Sequence, residues 1–200
     1  MNRALALALT GLAGAAGWYL CLDISAAAER EMPAARWLWY GGHVAAAAPV
    51  LLIAPIQFMA GIRGARPAVH RWLGRVYLGL SLVAGVMAVA LGLTMEAQGT
   101  ELPLVMFGLL WIGFSALAWL AARKRDWTAH RQFTIRSFAI ATSFVLLHLL
   151  QAGEAVLFGW LDWPELRYAT RGWLSLVLPL LAAEAYLSWW PAARRVFAKR

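Results

Sequence analysis

Charged residues are scarce in this sequence. Only 14% of its 200 residues are charged, against about a quarter in an average soluble domain, and 62% are hydrophobic. This composition excludes an ordinary soluble domain and favours a protein embedded in lipid. The formal net charge of +8 would suggest nucleic acid binding in a soluble protein. Here the basic residues lie in loops between apolar runs, so we expect no nucleic-acid partner.

Cysteine is nearly absent as well. The single Cys21 cannot form an intramolecular disulfide, and it lies in an apolar run, where we expect a small buried side chain. The sequence also contains no nucleophile triad, phosphate-binding loop or zinc-binding motif. We therefore single out no catalytic residue. The enzyme class left open is a membrane oxidoreductase or electron-transfer protein.

Apolar runs fill most of the chain. Each is long enough, at about 1.5 Å per residue, to cross a hydrocarbon core of about 30 Å. We number them as predicted spans one to six: Ala4–Leu22, Trp37–Ala60, Val76–Met95, Leu102–Ala122, Phe133–Trp160 and Gly172–Trp190. The sequence thus predicts an all-α integral membrane bundle of about six transmembrane helices, with residues 1–200 as a single transmembrane domain.

The first run has two interpretations. Arg3 followed by Ala4–Leu22 resembles a signal peptide, and the small residues Ala26–Ala28 would suit a cleavage site. The alternative, which we favour, is a retained transmembrane helix.

The loops predict an orientation. Basic residues concentrate after spans two and four and in the C-terminal tail: Arg63, Arg66, Arg71, Arg75, Arg123, Lys124, Arg125, Arg131, Arg194, Arg195, Lys199 and Arg200. The other loops hold most of the acids. By the positive-inside rule we expect both termini in the cytoplasm and a multi-pass protein of the bacterial inner membrane.

A short motif occurs twice. Ala68-Val69-His70-Arg71 and Thr128-Ala129-His130-Arg131 each follow a basic loop and open a span. A duplicated helical hairpin, spans two and three against spans four and five, would explain the match. Two independent basic borders are the alternative.

Several stretches in spans two to five resemble a known family. They are Gly41-Gly42-His43, Ala54–Phe58, His70–Tyr77 and Ala129–Ser137, of which His70–Tyr77 (HRWLGRVY) is the most specific. They resemble a family of bacterial multispanning membrane proteins known only as a domain of unknown function. The resemblance implies a polytopic membrane protein and supplies no activity.

The four histidines fall into two pairs of matching depth. Span two enters from outside, which puts His43 about 9 Å below the outer border, and span five runs outward, which puts His148 about 22 Å above its cytoplasmic start. Both therefore lie in the outer leaflet. His70 and His130 both lie at the cytoplasmic border.

Paired imidazoles on facing helices are typical of a transmembrane b-type cytochrome. His130 and His148 are about five helical turns apart, so they lie on one face of span five. In this respect the chain resembles the ascorbate-linked transmembrane cytochromes, which carry one haem near each surface. It departs from them in a separation of about 27 Å along the helix, which is long for a pair of stacked haem sites.

We therefore predict haem b, with metal-ligating histidines in both pairs. His43 and His148 would ligate an outer haem, and His70 and His130 an inner one. Nearby arginines would bind an anionic donor, haem propionates or a quinone headgroup: Arg71, Arg75, Arg131 and Arg136. The alternatives are a border motif touching lipid phosphates for the inner pair, and an interhelical hydrogen bond for the outer pair.

Other polar residues lie at membrane depth. We expect Gln151 and Glu154 to share the side of span five that carries His148, and Glu154 to reach water because it lies near a helix end. Glu184 lies in the inner half of span six, at a depth similar to Gln57. We expect it to pair with an arginine or Gln57 and to hold spans five and six together, with a proton or substrate path as the alternative.

The predicted function is transmembrane electron transfer through b-type haem. The alternatives are a haem-free transporter of a small molecule or lipid, and an accessory subunit of a larger membrane complex. The expected partners are the lipid bilayer, a quinone or other redox partner, and other membrane subunits.

Overall fold

The computed structural model describes residues 33–94 and 99–198, and this part of the chain contains helices and no strand. The helices are α1 (Ala34–Phe58), α2 (Ala60–Ala65), α3 (Pro67–Thr94), α4 (Glu101–Arg123), α5 (Trp127–Ala152), α6 (Glu154–Leu157), α7 (Pro164–Glu184) and α8 (Trp190–Phe197). A π-helical segment, Ala185–Trp189, joins α7 to α8.

Five helical segments are long and apolar enough to cross a membrane. They are α1, α3, α4, α5 and the continuous stretch Pro164–Phe197. They match predicted spans two to six, which confirms an all-α membrane bundle. The predicted first span, Ala4–Leu22, and Cys21 lie outside the described residues.

The described helices begin before the predicted spans do, and in two of them the early start includes a His-Arg motif. α3 begins at Pro67 and α5 at Trp127, so each His-Arg motif lies in the first turns of a helix. Proline is well suited to a helix start because the N–H it lacks would have no intrahelical partner there. The side chain of Asp126 caps α5 by accepting a hydrogen bond from the backbone N–H of Ala129 at 2.9 Å. Hydropathy locates the apolar part of a helix and misses such polar first turns.

The predicted fifth span is too long at its far end. α5 ends at Ala152, and Gly153 separates it from the short helix α6. The Gly153 N–H bonds back to the Leu149 carbonyl at 3.0 Å, which closes the last turn. Glu154 consequently lies beyond α5, in the short helix α6, and not within the single long helix predicted for span five.

Four of the long helices form a ring. α1 packs on α3, α3 on α4, α4 on α5, and α5 contacts α1, while α7 packs outside the ring against α5 and, less extensively, α4. The ring has two distinct ends. We call the end with α2, the start of α3 and the start of α5 the basic end, because it carries both His-Arg motifs. The other is called the opposite end.

The contact between α3 and α4 is set by glycines. A Cβ added to Gly108 would lie 2.6 Å from the Gly85 carbonyl oxygen and 2.8 Å from the Val89 nitrogen. One added to Gly92 would lie 2.9 Å from the Val105 nitrogen. In lipid, small residues allow backbones to approach and gain van der Waals contact where no hydrophobic force drives helices together.

Tryptophans at the two ends of the bundle are exposed, as the predicted membrane borders require. Trp72 and Trp127 lie at the basic end, and Trp160 and Trp163 precede α7 at the opposite end. By contrast, Trp111 in the middle of α4 is buried. Indole rings favour the headgroup level, so these positions fit a multi-pass protein in contact with the lipid bilayer.

Candidate functional site

His43 lies inside the ring, near the opposite end. It is buried in α1, and its Nδ1 lies 2.9 Å from the backbone carbonyl oxygen of Ala84 in α3. Since a carbonyl can only accept, Nδ1 is the protonated nitrogen. The ring also makes edge contacts with Trp111 and Phe144, at centroid distances of 6.3 and 5.7 Å.

His148 reaches the same phenyl ring from α5. Its ring centroid lies 4.3 Å from that of Phe144, and its Nδ1 lies 2.8 Å from the Phe144 carbonyl oxygen. Both imidazoles of the predicted outer pair therefore contact Phe144, and both carry the proton on Nδ1. An interhelical hydrogen bond, the alternative for this pair, is present for His43.

The two imidazoles have the tautomer of a metal ligand. Histidines that ligate a metal usually have their Nδ1–H held by a carboxylate or a backbone carbonyl, with Nε2 as the ligating atom. This chemistry fits the iron of haem b, which takes two axial ligands. The packing adds a condition: Phe144 rests against both rings, so a porphyrin between them requires the phenyl group to rotate away.

A larger metal centre is not formed by the described residues. Among residues 33–94 and 99–198, no three His, Cys, Asp or Glu side chains come together in a group that could hold a metal ion. The two-histidine haem site stays a prediction.

The inner histidines lie at the basic end, and they differ in their bonding. His130 Nδ1 lies 2.9 Å from the Ala118 carbonyl oxygen in α4, and Trp127 packs edge-on against its ring. His70 is close enough to His130, Arg63 and Arg71 to interact with their charges. Its Nδ1 atom is buried and meets no hydrogen-bond partner within the described ranges. An inner haem held by these two histidines stays a prediction.

Gln57 is the second buried polar group at this end. Its residue exposure is 7%, and its Nε2 lacks a hydrogen-bond partner in the described part of the chain. Its Oε1 lies over Gly74 of α3, where an added Cβ would come within 3.5 Å of it. Among the described residues, Glu184 takes Arg136 as its partner and not Gln57.

Glu184 forms the predicted pair with an arginine. Arg136 of α5 donates to both carboxylate oxygens of Glu184, from Nε at 2.5 Å and from Nη2 at 3.1 Å. The pair joins α5 to α7 and is partly exposed on both sides. Nearby, Arg131 donates to the Tyr186 hydroxyl at 2.8 Å, which joins α5 to the π-helical segment after α7. Arg71 and Arg75 are exposed.

A hydroxyl cluster in the middle of the ring was not predicted. The Tyr77 hydroxyl lies 3.4 Å from Ser137 Oγ, which lies 2.9 Å from Ser115 Oγ, so α3, α4 and α5 are linked. The sequence offered one indication of this cluster, since Ser115 and Ser137 lie within apolar runs at membrane depth. Tyr77 and Ser137 are separated by 60 residues, as are His70 and His130, so they occupy equivalent positions after the two His-Arg motifs. The duplicated hairpin stays a prediction.

Glu154 is not mainly solvated, contrary to expectation. It forms an ion pair with Arg171 of α7, a residue that the sequence analysis did not single out. Arg171 is buried and stacks on Tyr168, with its guanidinium carbon 4.8 Å from the ring centroid. The available signal was an arginine next to the start of predicted span six, on the acid-rich side of the membrane, where it needs a carboxylate. Gln151 is exposed.

The described geometry can be set beside known proteins. A family model described as "Predicted membrane protein (DUF2306)" matches residues 40–187, a range that includes all four histidines and Glu184. No curated protein and no solved structure matches the chain. Since the family model covers most of the sequence, the chain belongs to this family of predicted membrane proteins of unknown function.

Proposed function

We propose that this protein transfers electrons within the membrane through a b-type haem ligated by His43 and His148. The observation that carries the proposal is the matched pair of imidazoles on α1 and α5. Both contact Phe144, and both have Nδ1–H directed to a backbone carbonyl. A bound haem would supply reversible one-electron oxidation and reduction.

The chain's own residues would orient and tune the ligands. The Ala84 carbonyl fixes the rotation of the His43 ring, and the Phe144 carbonyl fixes that of His148. Such bonds from Nδ1–H raise the basicity of the ligating nitrogen. Trp111 and Phe144 keep the surroundings apolar, which is one of the ways in which a protein sets a haem potential.

The orientation belongs to the same proposal. We place the basic end and both termini in the cytoplasm, and the protein in the bacterial inner membrane, because the basic loops concentrate at that end. The outer haem would then lie near the periplasmic surface.

Difference spectra of histidine variants test the proposal. We expect full-length protein, expressed with adequate haem, to show the reduced-minus-oxidised bands of a b-type haem. His43→Ala and His148→Ala should each abolish them. Gln151→Ala, at an exposed position beside the outer pair, is the matched control and should retain the bands. Bands that survive loss of either ligand would refute the assignment of the site.

Phe144 gives an independent test of the same site. Because its ring rests against both imidazoles, Phe144→Ala should raise haem occupancy or the rate of haem uptake. A variant with less haem would mean that the phenyl ring supports the site instead of filling it.

A haem-free carrier is the second candidate. It is favoured by the two buried polar atoms at the basic end, Gln57 Nε2 and His70 Nδ1, for which the described residues provide no hydrogen-bond partner. Normal folding with no haem bands would favour this reading, or that of an accessory subunit.

A further inference from the structure

We propose that Gln57 and His70 form a binding site at the basic end for the carbonyl oxygen of a lipid-soluble ligand, and we assign the ligand to the class of quinones. The proposal goes beyond the haem site and does not depend on it. The two sites lie at opposite ends of the ring and use different residues.

The Gln57 amide is the first half of the site. It is held within the bundle near the end of α1, with Oε1 resting against the backbone of Gly74. Its Nε2 carries two N–H donors, and neither meets an acceptor in residues 33–94 or 99–198. An unsatisfied buried donor costs about 1–3 kcal/mol, so a retained amide of this kind is expected to have a ligand.

His70 is the second half. It lies four residues before Gly74 on α3, and residues at this spacing lie one above the other on a helix face, about one turn apart. The face continues into Tyr77 and Ser81, which are buried in the ring. The Nδ1 atom of His70 is buried as well, and it too lacks a partner among the residues described.

The second His-Arg motif differs from the first, because only in the first is the histidine Nδ1 atom without a partner among the described residues. In His130 the equivalent atom bonds to the Ala118 carbonyl oxygen at 2.9 Å. Ala118 belongs to α4, the helix that precedes α5 in the same hairpin. In the first hairpin the preceding helix is α1. It contributes the Gln57 side chain to its interface with α3, whereas α4 offers the Ala118 carbonyl to α5.

The chemistry of the two groups selects a neutral acceptor. An amide is an uncharged donor, and burying an anion beside it would carry a desolvation cost of several kcal/mol. Besides His130, the positive charges that act on His70 come from Arg63 and Arg71, which are exposed and can keep their water. A carbonyl oxygen has two lone pairs and can accept from the Gln57 amide and from His70 together.

The position selects a ligand from the membrane. Gln57 lies at the end of the apolar helix α1, and the exposed Trp72 marks the headgroup level two residues beyond His70. A quinone headgroup carried on an isoprenoid tail and the ester carbonyl of a phospholipid can both reach this depth. We assign the quinone because its carbonyl oxygen is carried on an uncharged ring, and the phospholipid ester is the alternative that the choice of lipid in the experiment separates.

Binding of a short-chain quinone in defined lipid tests the proposal. Haem-free full-length protein is placed in nanodiscs of ether-linked phosphatidylcholine, which has no ester carbonyl, and titrated with decylubiquinone by calorimetry. We expect saturable binding. Gln57→Leu and His70→Leu should each weaken it about tenfold, the effect of one lost hydrogen bond in a buried site. Gln151→Leu, an exposed glutamine at the opposite end, is the control and should bind as the parent does.

Two further readouts separate this site from a structural role and from a phospholipid site. In ligand-free discs Gln57→Leu should unfold at the parental temperature or above it, because it removes an unsatisfied donor. A lower temperature would overturn the proposal. In ester-linked lipid the quinone should still bind. If it binds only in ether-linked lipid, the site holds an ester carbonyl and the quinone assignment is wrong; no saturable binding in either lipid rejects the site itself.

Discussion

The two His-Arg motifs lie at the same end of the bundle, and they differ in how they are bonded. The motif on α5 is held by three hydrogen bonds: Asp126 caps the helix, His130 bonds to the Ala118 carbonyl, and Arg131 donates to the Tyr186 hydroxyl. The motif on α3 has an exposed Arg71 and a histidine whose buried Nδ1 has no partner in the described structure. The α5 motif therefore stabilises the fold, whereas the α3 motif leaves the buried His70 Nδ1 without a partner in the described residues.

The two helical hairpins, α1 with α3 and α4 with α5, have different neighbours. Equivalent positions meet near the middle of the ring, as Tyr77 and Ser137 do. The hairpin that contains α5 gains Glu184 of α7 and Tyr186 of the following π-helical segment as partners. In the other hairpin, α1 contributes Gln57 and His43.

The largest effect is expected where the two hairpins meet. Gly108→Ala would push a methyl group against the Gly85 carbonyl and the Val89 backbone, so α3 and α4 must move apart. Overpacking costs about 1–3 kcal/mol, and contacts with backbone cannot relax by a rotamer change. Gly113→Ala is the control in the same helix, since its added Cβ meets nothing within 4 Å. Thermal unfolding in detergent, followed by tryptophan fluorescence, should show a large loss for Gly108→Ala only. Equal stability of the two variants would mean that this glycine contact does not hold the hairpins together.

An intermediate effect is expected from the arginines of the two hairpins. Arg136→Gln leaves Glu184 without its bidentate partner. Loss of one member of a buried pair costs about 3–5 kcal/mol, and the partial exposure here reduces this to about 1–2 kcal/mol. Arg75→Gln, in the first hairpin, removes an exposed charge and should change stability by less than about 0.5 kcal/mol. The same unfolding assay compares them, and a cost for Arg75→Gln as large as that for Arg136→Gln would contradict the asymmetry.

The smallest effect separates the two histidines. His130→Ala removes the bond to Ala118 and should cost about 1 kcal/mol. His70→Leu removes an unsatisfied nitrogen, so the ligand-free protein should keep its stability or gain slightly. If His70→Leu is the more damaging substitution in the unfolding assay, the first motif is structural and the comparison is reversed.

Much of the fold followed from the sequence, because apolar length is a direct requirement of the bilayer. The pairing of Glu184 with an arginine also followed, since an unpaired carboxylate at that depth is too costly. The grouping of histidines by depth needed only span direction and helical rise.

The features that were missed depend on how each helix is rotated. Hydropathy does not say which face of α7 meets α6, so the Glu154–Arg171 pair was overlooked. It does not show that Phe144 lies against both outer histidines, or that Gln57 faces Gly74. These contacts arise from close packing of small and aromatic side chains, for which many rotations have similar hydropathy.

The haem-to-protein ratio of the purified full-length chain tests whether His43 and His148 hold a haem. Protein expressed with adequate haem and assayed by the pyridine haemochrome method should contain one haem per chain. His43 and His148 both have the tautomer of a metal ligand, whereas we propose a quinone as the ligand of His70. A ratio near one supports electron transfer through His43 and His148. A ratio of zero in folded, monodisperse protein would contradict it.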